Sequence, residues 1–93
     1  MSKELLKQKL AEEGFPHIYE WTDEPGTDYP AHAHKGKVSM YILSGGLTFW
    51  FGSEEVVLKE RDRLDVPVGK EHTAKVGEAG CTFLVGEMLE GDS

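Results

Sequence analysis

The 93-residue chain has a single cysteine, Cys81, so no disulfide can close within it, and paired-cysteine redox or metal motifs are excluded. A lone thiol suits a reducing compartment, and a cytoplasmic location is the expectation. Basic residues are also scarce: ten Lys and Arg stand against 17 Asp and Glu, for a net charge of -7. They are scattered, with Lys35 and Lys37 the one local group beside a candidate site. Partners recognised by neutralising phosphates, nucleic acid and anionic membranes alike, are therefore not expected. No stretch is long and apolar enough to span a bilayer, and the opening MSKELLKQKL lacks the apolar run of a secretory signal. There is no G-x-S-x-G, no H-E-x-x-H, no phosphate loop, no internal repeat and no low-complexity linker. The acidic excess gathers at Glu12-Glu13 and from Glu87 to Asp92, and it reads as solvated surface.

What the chain does contain is one amphipathic stretch followed by many short β-prone runs. Residues 3–13 predict a helix, with Leu6 and Leu10 on one stripe, Leu5 beside them, Ser2 as cap and Gly14 as stop. Beyond Gly14 the runs Phe15–Trp21, Tyr29–His34, Lys37–Ser44, Leu47–Gly52, Glu55–Lys59, Arg63–Val66, His72–Val76 and Thr82–Met88 read as strands. The connections between them, Gly45-Gly46 and Gly77 to Gly80 among them, read as tight turns. Evenly spaced short strands predict an all-β sandwich or barrel. The organisation is then a helix over 1–14, a barrel over 15–89 and a polar tail over 90–93. In the apolar run Leu47-Thr-Phe-Trp-Phe, Phe49 and Phe51 are assigned to the core. Trp50 and Met40 are assigned to an outer face that pairs with a second copy of the chain, so a homodimer is expected.

The histidines carry the chemistry. His32 and His34 are two apart in a β-prone run, so both imidazoles project to one face. His72 follows the turn Pro67-Val-Gly69, which can return the chain to the same cavity. Neutral imidazoles suit divalent transition metals, and three of them leave coordination positions open. An H-x-H pair alone also arises without function, and His17, early in the first strand, is assigned a structural place.

The spacing resembles that of the single-domain cupins over residues 15 to 89. Their first motif, a glycine, five residues, H-x-H, three or four residues, a glutamate, six residues and a glycine, is matched by Gly26-TDYPA-His32-Ala-His34-KGKV-Ser39-MYILSG-Gly46. Ser39 stands where the glutamate is expected. Their second motif is matched by Arg61-DRLDV-Pro67-Val-Gly69-KE-His72-TAK-Val76, without its first glycine and final asparagine. The resemblance implies a double-stranded β-helix, or jelly-roll, barrel with a short N-terminal helix. It also implies His32, His34 and His72 as ligands of Fe, Zn, Ni or Mn, or an empty barrel in which the histidines merely line the cavity.

Alternation from Ser39 puts Tyr41 and Leu43 on the same inward face, so Ser39 and Tyr41 are expected to line the ligand pocket. His72, Ala74, Val76, Leu64 and Val66 are assigned inward by the same rule. Cys81 is assigned as a small buried residue rather than a nucleophile. Three functions remain open: a metal-dependent, dioxygenase-like enzyme on a small molecule, a non-catalytic barrel binding a sugar or metabolite, and a module acting through dimerisation.

Overall fold

The computed structural model describes residues 2–88; the tail expected at 90–93, and residue 89, lie outside them. Helix α1 spans Lys3–Glu12. The Ser2 hydroxyl accepts the Leu5 N–H at 3.3 Å and caps its start. Its end is a left-handed stop: Gly14 has φ 95°, the Gly14 N–H donates to the Ala11 carbonyl, and the Phe15 N–H to that of Leu10. Ten residues make a marginal helix in isolation, so docking must hold it. Leu6 and Leu10 supply that docking by packing with Phe15, Tyr41 and Leu84, while Leu5 is exposed.

The strands are β1 (His17–Asp23), β2 (Asp28–His32), β3 (Val38–Phe51), β4 (Glu54–Lys59), β5 (Arg63–Val66) and β6 (His72–Glu87). The long strands β3 and β6 run antiparallel along each other over both of their halves. On its far side β3 pairs with β5 in its first half and β4 in its second. Strand β6 pairs with β2 in its first half and β1 in its last. The sheet thereby folds into two halves, β1-β6-β3-β5 and β2-β6-β3-β4, which is the double-stranded β-helix that the cupin resemblance implies.

The glycine clusters differ from expectation. Gly45-Gly46 and Gly77 to Gly80 are not turns between separate strands; they are bends inside β3 and β6, where each strand crosses from one half-sheet to the other. The register shifts there, between Ile42 and Ser44 and between Gly45 and Leu47. The reason is close approach at the corner. Gly45 has φ +72°, and a Cβ on it would lie 2.0 Å from the Gly80 carbonyl oxygen. A turn and a barrel corner make the same demand on glycine, and only pairing tells them apart.

Two clusters of buried side chains result. The inner one fills the barrel with Val38, Met40, Ile42, Leu47, Phe49, Phe51 and their partners on β6, Cys81 among them. Met40 is thus inside rather than on an outer face, because it alternates with Ser39 and faces Leu64 and Val85 across the strands. Trp50 does face outward, half-buried, with its indole N–H donated to Glu55 at 3.1 Å. The second cluster lies beneath α1, on the other side of β3. Among the described residues no helix is long and apolar enough to cross a membrane.

Candidate metal centre

His32 ends β2, and His34 lies just past it, so the H-x-H pair straddles the strand end instead of lying within it. The backbone still fixes His34, whose carbonyl accepts the Gly69 N–H at 2.8 Å. That bond ties the first histidine segment to the Pro67–Gly69 turn that launches β6. His72 is the first residue of β6 and pairs in register with His32. The ring centroids are 4.9 Å apart for His32 and His34, 4.4 Å for His32 and His72, and 5.2 Å for His34 and His72. One nitrogen from each ring falls within 4.8 Å of the others, so the three expected ligands do converge.

Ring orientation is set from behind. The Nδ1 of His32 lies 2.7 Å from the Pro30 carbonyl, and that of His72 lies 3.0 Å from the Lys70 carbonyl. A carbonyl can only accept, so both Nδ1 atoms carry the hydrogen and both Nε2 atoms are left with a lone pair. His72 is only 2% exposed, and its Nε2 is the one buried side-chain polar atom among the described residues without a hydrogen-bond partner. A buried acceptor with nothing to accept costs free energy, on the order of 1–3 kcal/mol. Its ring stands beside the two further imidazoles and against Phe49 and Phe51, with ring centroids 5.5 and 5.3 Å apart. A divalent cation would satisfy that atom, and the residues present fit one. Burial and the neighbouring His32 and His72 push the His34 pKa down, towards the neutral form a metal needs.

His32 and His34 border a cavity of about 460 Å³ whose walls are mainly aromatic and aliphatic, including Trp21, Tyr29, Met40, Phe49 and Phe83. At its rim the Trp21 indole N–H and the Tyr29 hydroxyl both donate to Asp23, the former at 2.9 Å. Burial, then the bond to Asp23, raises the Tyr29 pKa, so this phenol stays protonated at neutral pH. Glu87 also lines the cavity and accepts the Tyr19 hydroxyl at 3.3 Å. Glu87 sits in an acidic stretch that reads as solvated surface; its inward side of β6 could be found only by carrying the alternation on from Val85.

Ser39 and Tyr41 do not line this cavity. They point to the opposite side of β3, towards α1, into a network centred on Arg63. The Arg63 guanidinium donates to both Glu13 carboxylate oxygens at 2.6 and 2.8 Å, to the Tyr41 hydroxyl at 2.7 Å, to Ser39 at 3.3 Å and to Asp65 at 3.0 Å. Ser39 in turn donates to Asp65 at 2.5 Å. These bonds hold both carboxyls below their usual range, chiefly through Arg63 for Glu13 and Ser39 for Asp65. The residue on the cavity side is Val38, which lines it with His32 and His34. The motif allows three or four residues before its glutamate, and the doublet Gly45-Gly46 satisfies the closing glycine either way. The structure selects the shorter spacing, so the carboxylate position of the pattern is held by an apolar side chain.

A jelly-roll barrel with converging histidines at the end of an apolar cavity defines the class of protein. The family model described as "Cupin domain" matches residues 19–85, and the chain belongs to the cupin family. No curated protein matches it in sequence. Among solved structures it is similar to an uncharacterised protein with a double-stranded β-helix domain from Klebsiella pneumoniae, at 22% identity and TM-score 0.67 over 82% of this chain and 69% of that one. A cupin-2 domain protein from Shewanella frigidimarina matches at 19% identity and TM-score 0.65, over 73% of this chain and 65% of that one. A DMSP lyase from Ruegeria pomeroyi matches at 26% identity and TM-score 0.65, over 73% of this chain but 35% of the lyase. The chain spans 60% to 65% of the length of several such relatives.

Proposed function

We propose that this cupin binds a divalent transition metal, Fe, Zn, Ni or Mn, through His32, His34 and His72, and holds a small, mainly apolar molecule beside it. The observation that carries the proposal is the Nε2 of His72, buried and without a partner, in a ring clustered with the two other imidazoles. Three neutral donors leave the full charge of a dication and open positions, so the bound ion would supply Lewis acidity or a site for dioxygen. The protein's own residues do the rest. Carbonyls of Pro30 and Lys70 hold two rings in the ligating tautomer. Aromatic walls exclude water and accept an apolar body, and Asp23 fixes the rim through Trp21 and Tyr29. A wall of this character suits a phenolic or short-chain metabolite better than a sugar, whose hydroxyls would go unpaired. A dioxygenase-like reaction on such a molecule is the activity proposed, in keeping with three neutral ligands. The structurally similar DMSP lyase is itself an enzyme.

Elemental analysis of untagged protein, beside His72→Ala, tests the metal. Near-stoichiometric metal in the wild type and its loss in the variant are expected. Absence of metal after anaerobic exposure to Fe(II), Zn, Ni and Mn would sink the proposal. Oxygen uptake by the Fe(II) protein on phenolic acids, diketones and thiols then tests the reaction.

A further inference from the structure

With valine in the carboxylate position, the three histidines offer no negative charge to a cation, inside a cavity whose walls are largely apolar. An uncompensated charge in such surroundings is expensive. The neighbouring strand supplies a carboxylate at the same level. Glu87 on β6 is the cross-strand partner of Val38 on β3. Directly paired residues project to the same face, with Cβ atoms about 4.5–5.5 Å apart. Both side chains accordingly line the histidine cavity, and Glu87 is the one acidic residue among the described residues that does so. Its hydrogen-bond partner among the described residues, the Tyr19 hydroxyl, is at 3.3 Å, near the outer limit of a hydrogen bond, and belongs to an exposed ring. That one long bond takes a single acceptor site of the carboxylate, and its charge is felt at His34.

We propose that Glu87 is the counter-charge of the histidine site, a carboxylate transferred from β3 to the facing position on β6, where it stabilises the bound cation. The proposal rests on metal binding by His32, His34 and His72 and names the residue that balances their ion.

The test is the affinity for Ni(II), measured by chelator competition on the full chain. Four proteins are compared with the wild type: His72→Ala, Glu87→Gln, Tyr19→Phe and the double variant Val38→Glu/Glu87→Gln. Glu87→Gln keeps the shape and removes the charge, and roughly ten- to hundred-fold weaker binding is expected. Its metal-free melting temperature should stay close to that of the wild type. Tyr19→Phe cuts the hydroxyl bond but keeps the charge, so affinity should hold within about twofold. Returning the carboxylate to β3 in the double variant should recover most of the loss; no recovery in a double variant that melts like the wild type counts against the proposal. Wild-type affinity in Glu87→Gln, while His72→Ala fails to bind, overturns the counter-charge and leaves the histidine site standing. An equal fall in Tyr19→Phe also overturns it, since the bond and not the charge would then matter. If the wild type takes up no Ni(II), or His72→Ala binds equally well, the histidine site itself fails and this inference with it.

Discussion

Replacing Arg63 by methionine tests whether Ser39 and Tyr41 serve the fold rather than the ligand. All five guanidinium N–H groups are engaged, and the network joins the end of α1 to β3 and β5. Its parts are unequally buried, and that decides the magnitude. The Asp65 side chain is 69% exposed and that of Glu13 35%, so water rehydrates both carboxylates when the guanidinium leaves, and each ion pair contributes little. Tyr41 is only 5% exposed and loses its charged donor inside the protein. A charge-assisted bond of that kind contributes about 1.5–3 kcal/mol, and the surface pairs add up to about 1 kcal/mol. A loss of roughly 2–3 kcal/mol follows, equivalent to roughly 10–20 °C in Tm for a domain of this size. Urea unfolding of Arg63→Met, alone and combined with Tyr41→Phe, measures it. The double variant should lose less than the sum of the single ones, because Tyr41 and Arg63 share one bond. Metal affinity should change in neither. A loss below about 0.5 kcal/mol, or a fall in metal binding in a folded Tyr41→Phe protein, would refute the assignment of this network to helix docking.

Three further outcomes follow from the same packing. Acid should unfold the wild type with a steeper loss of stability than Arg63→Met. Glu13 and Asp65 have folded pKa values below their ordinary 4.5 and 3.8, so their contribution is whole above those values and disappears as pH falls through the lower folded ones; chemical denaturation from pH 6 to pH 2 reads the difference. Gly45→Ala should cost more than about 2 kcal/mol, from its positive φ and from the Gly80 carbonyl that a methyl group would meet, with loss of soluble folded protein as the visible result. Cys81 is buried, and burial together with Asp23 pushes its thiol up to about 11, so a disulfide reagent at pH 8 should label it only at the rate of unfolding.

The sequence makes the histidine triad and the barrel legible for a physical reason. Ligand spacing, corner glycines and the Pro67–Gly69 turn are local, and local demands leave marks on neighbouring residues. Three features left weaker marks. A glycine pair serves a turn and a bend alike, so Gly45-Gly46 reads as a break in what is one strand. The same doublet blurs the motif by one residue, and a one-residue slip exchanges the two faces of a strand, which moves Ser39 and Tyr41 into the cavity on paper and Val38 out of it. Glu13 and Glu87 both read as solvated surface; Glu13 acquires its role from Arg63, 50 positions away, and Glu87 reaches the cavity through its cross-strand pairing with Val38, and no local pattern announces such pairings.

The first half of β3 is a wall with different tenants on each side. Val38 and Met40 line the cavity and Ile42 belongs to the barrel core, while Ser39 and Tyr41 belong to the helix clasp. A saturation mutagenesis screen across 38–42 should therefore show tolerance that alternates residue by residue, with two different selection pressures interleaved. Changes of volume at 38 and 40 would appear as altered ligand preference, and loss of hydrogen bonding at the odd positions as lowered abundance of folded protein. Ligand specificity could then be redesigned from one side of this strand without touching the residues that keep the helix in place.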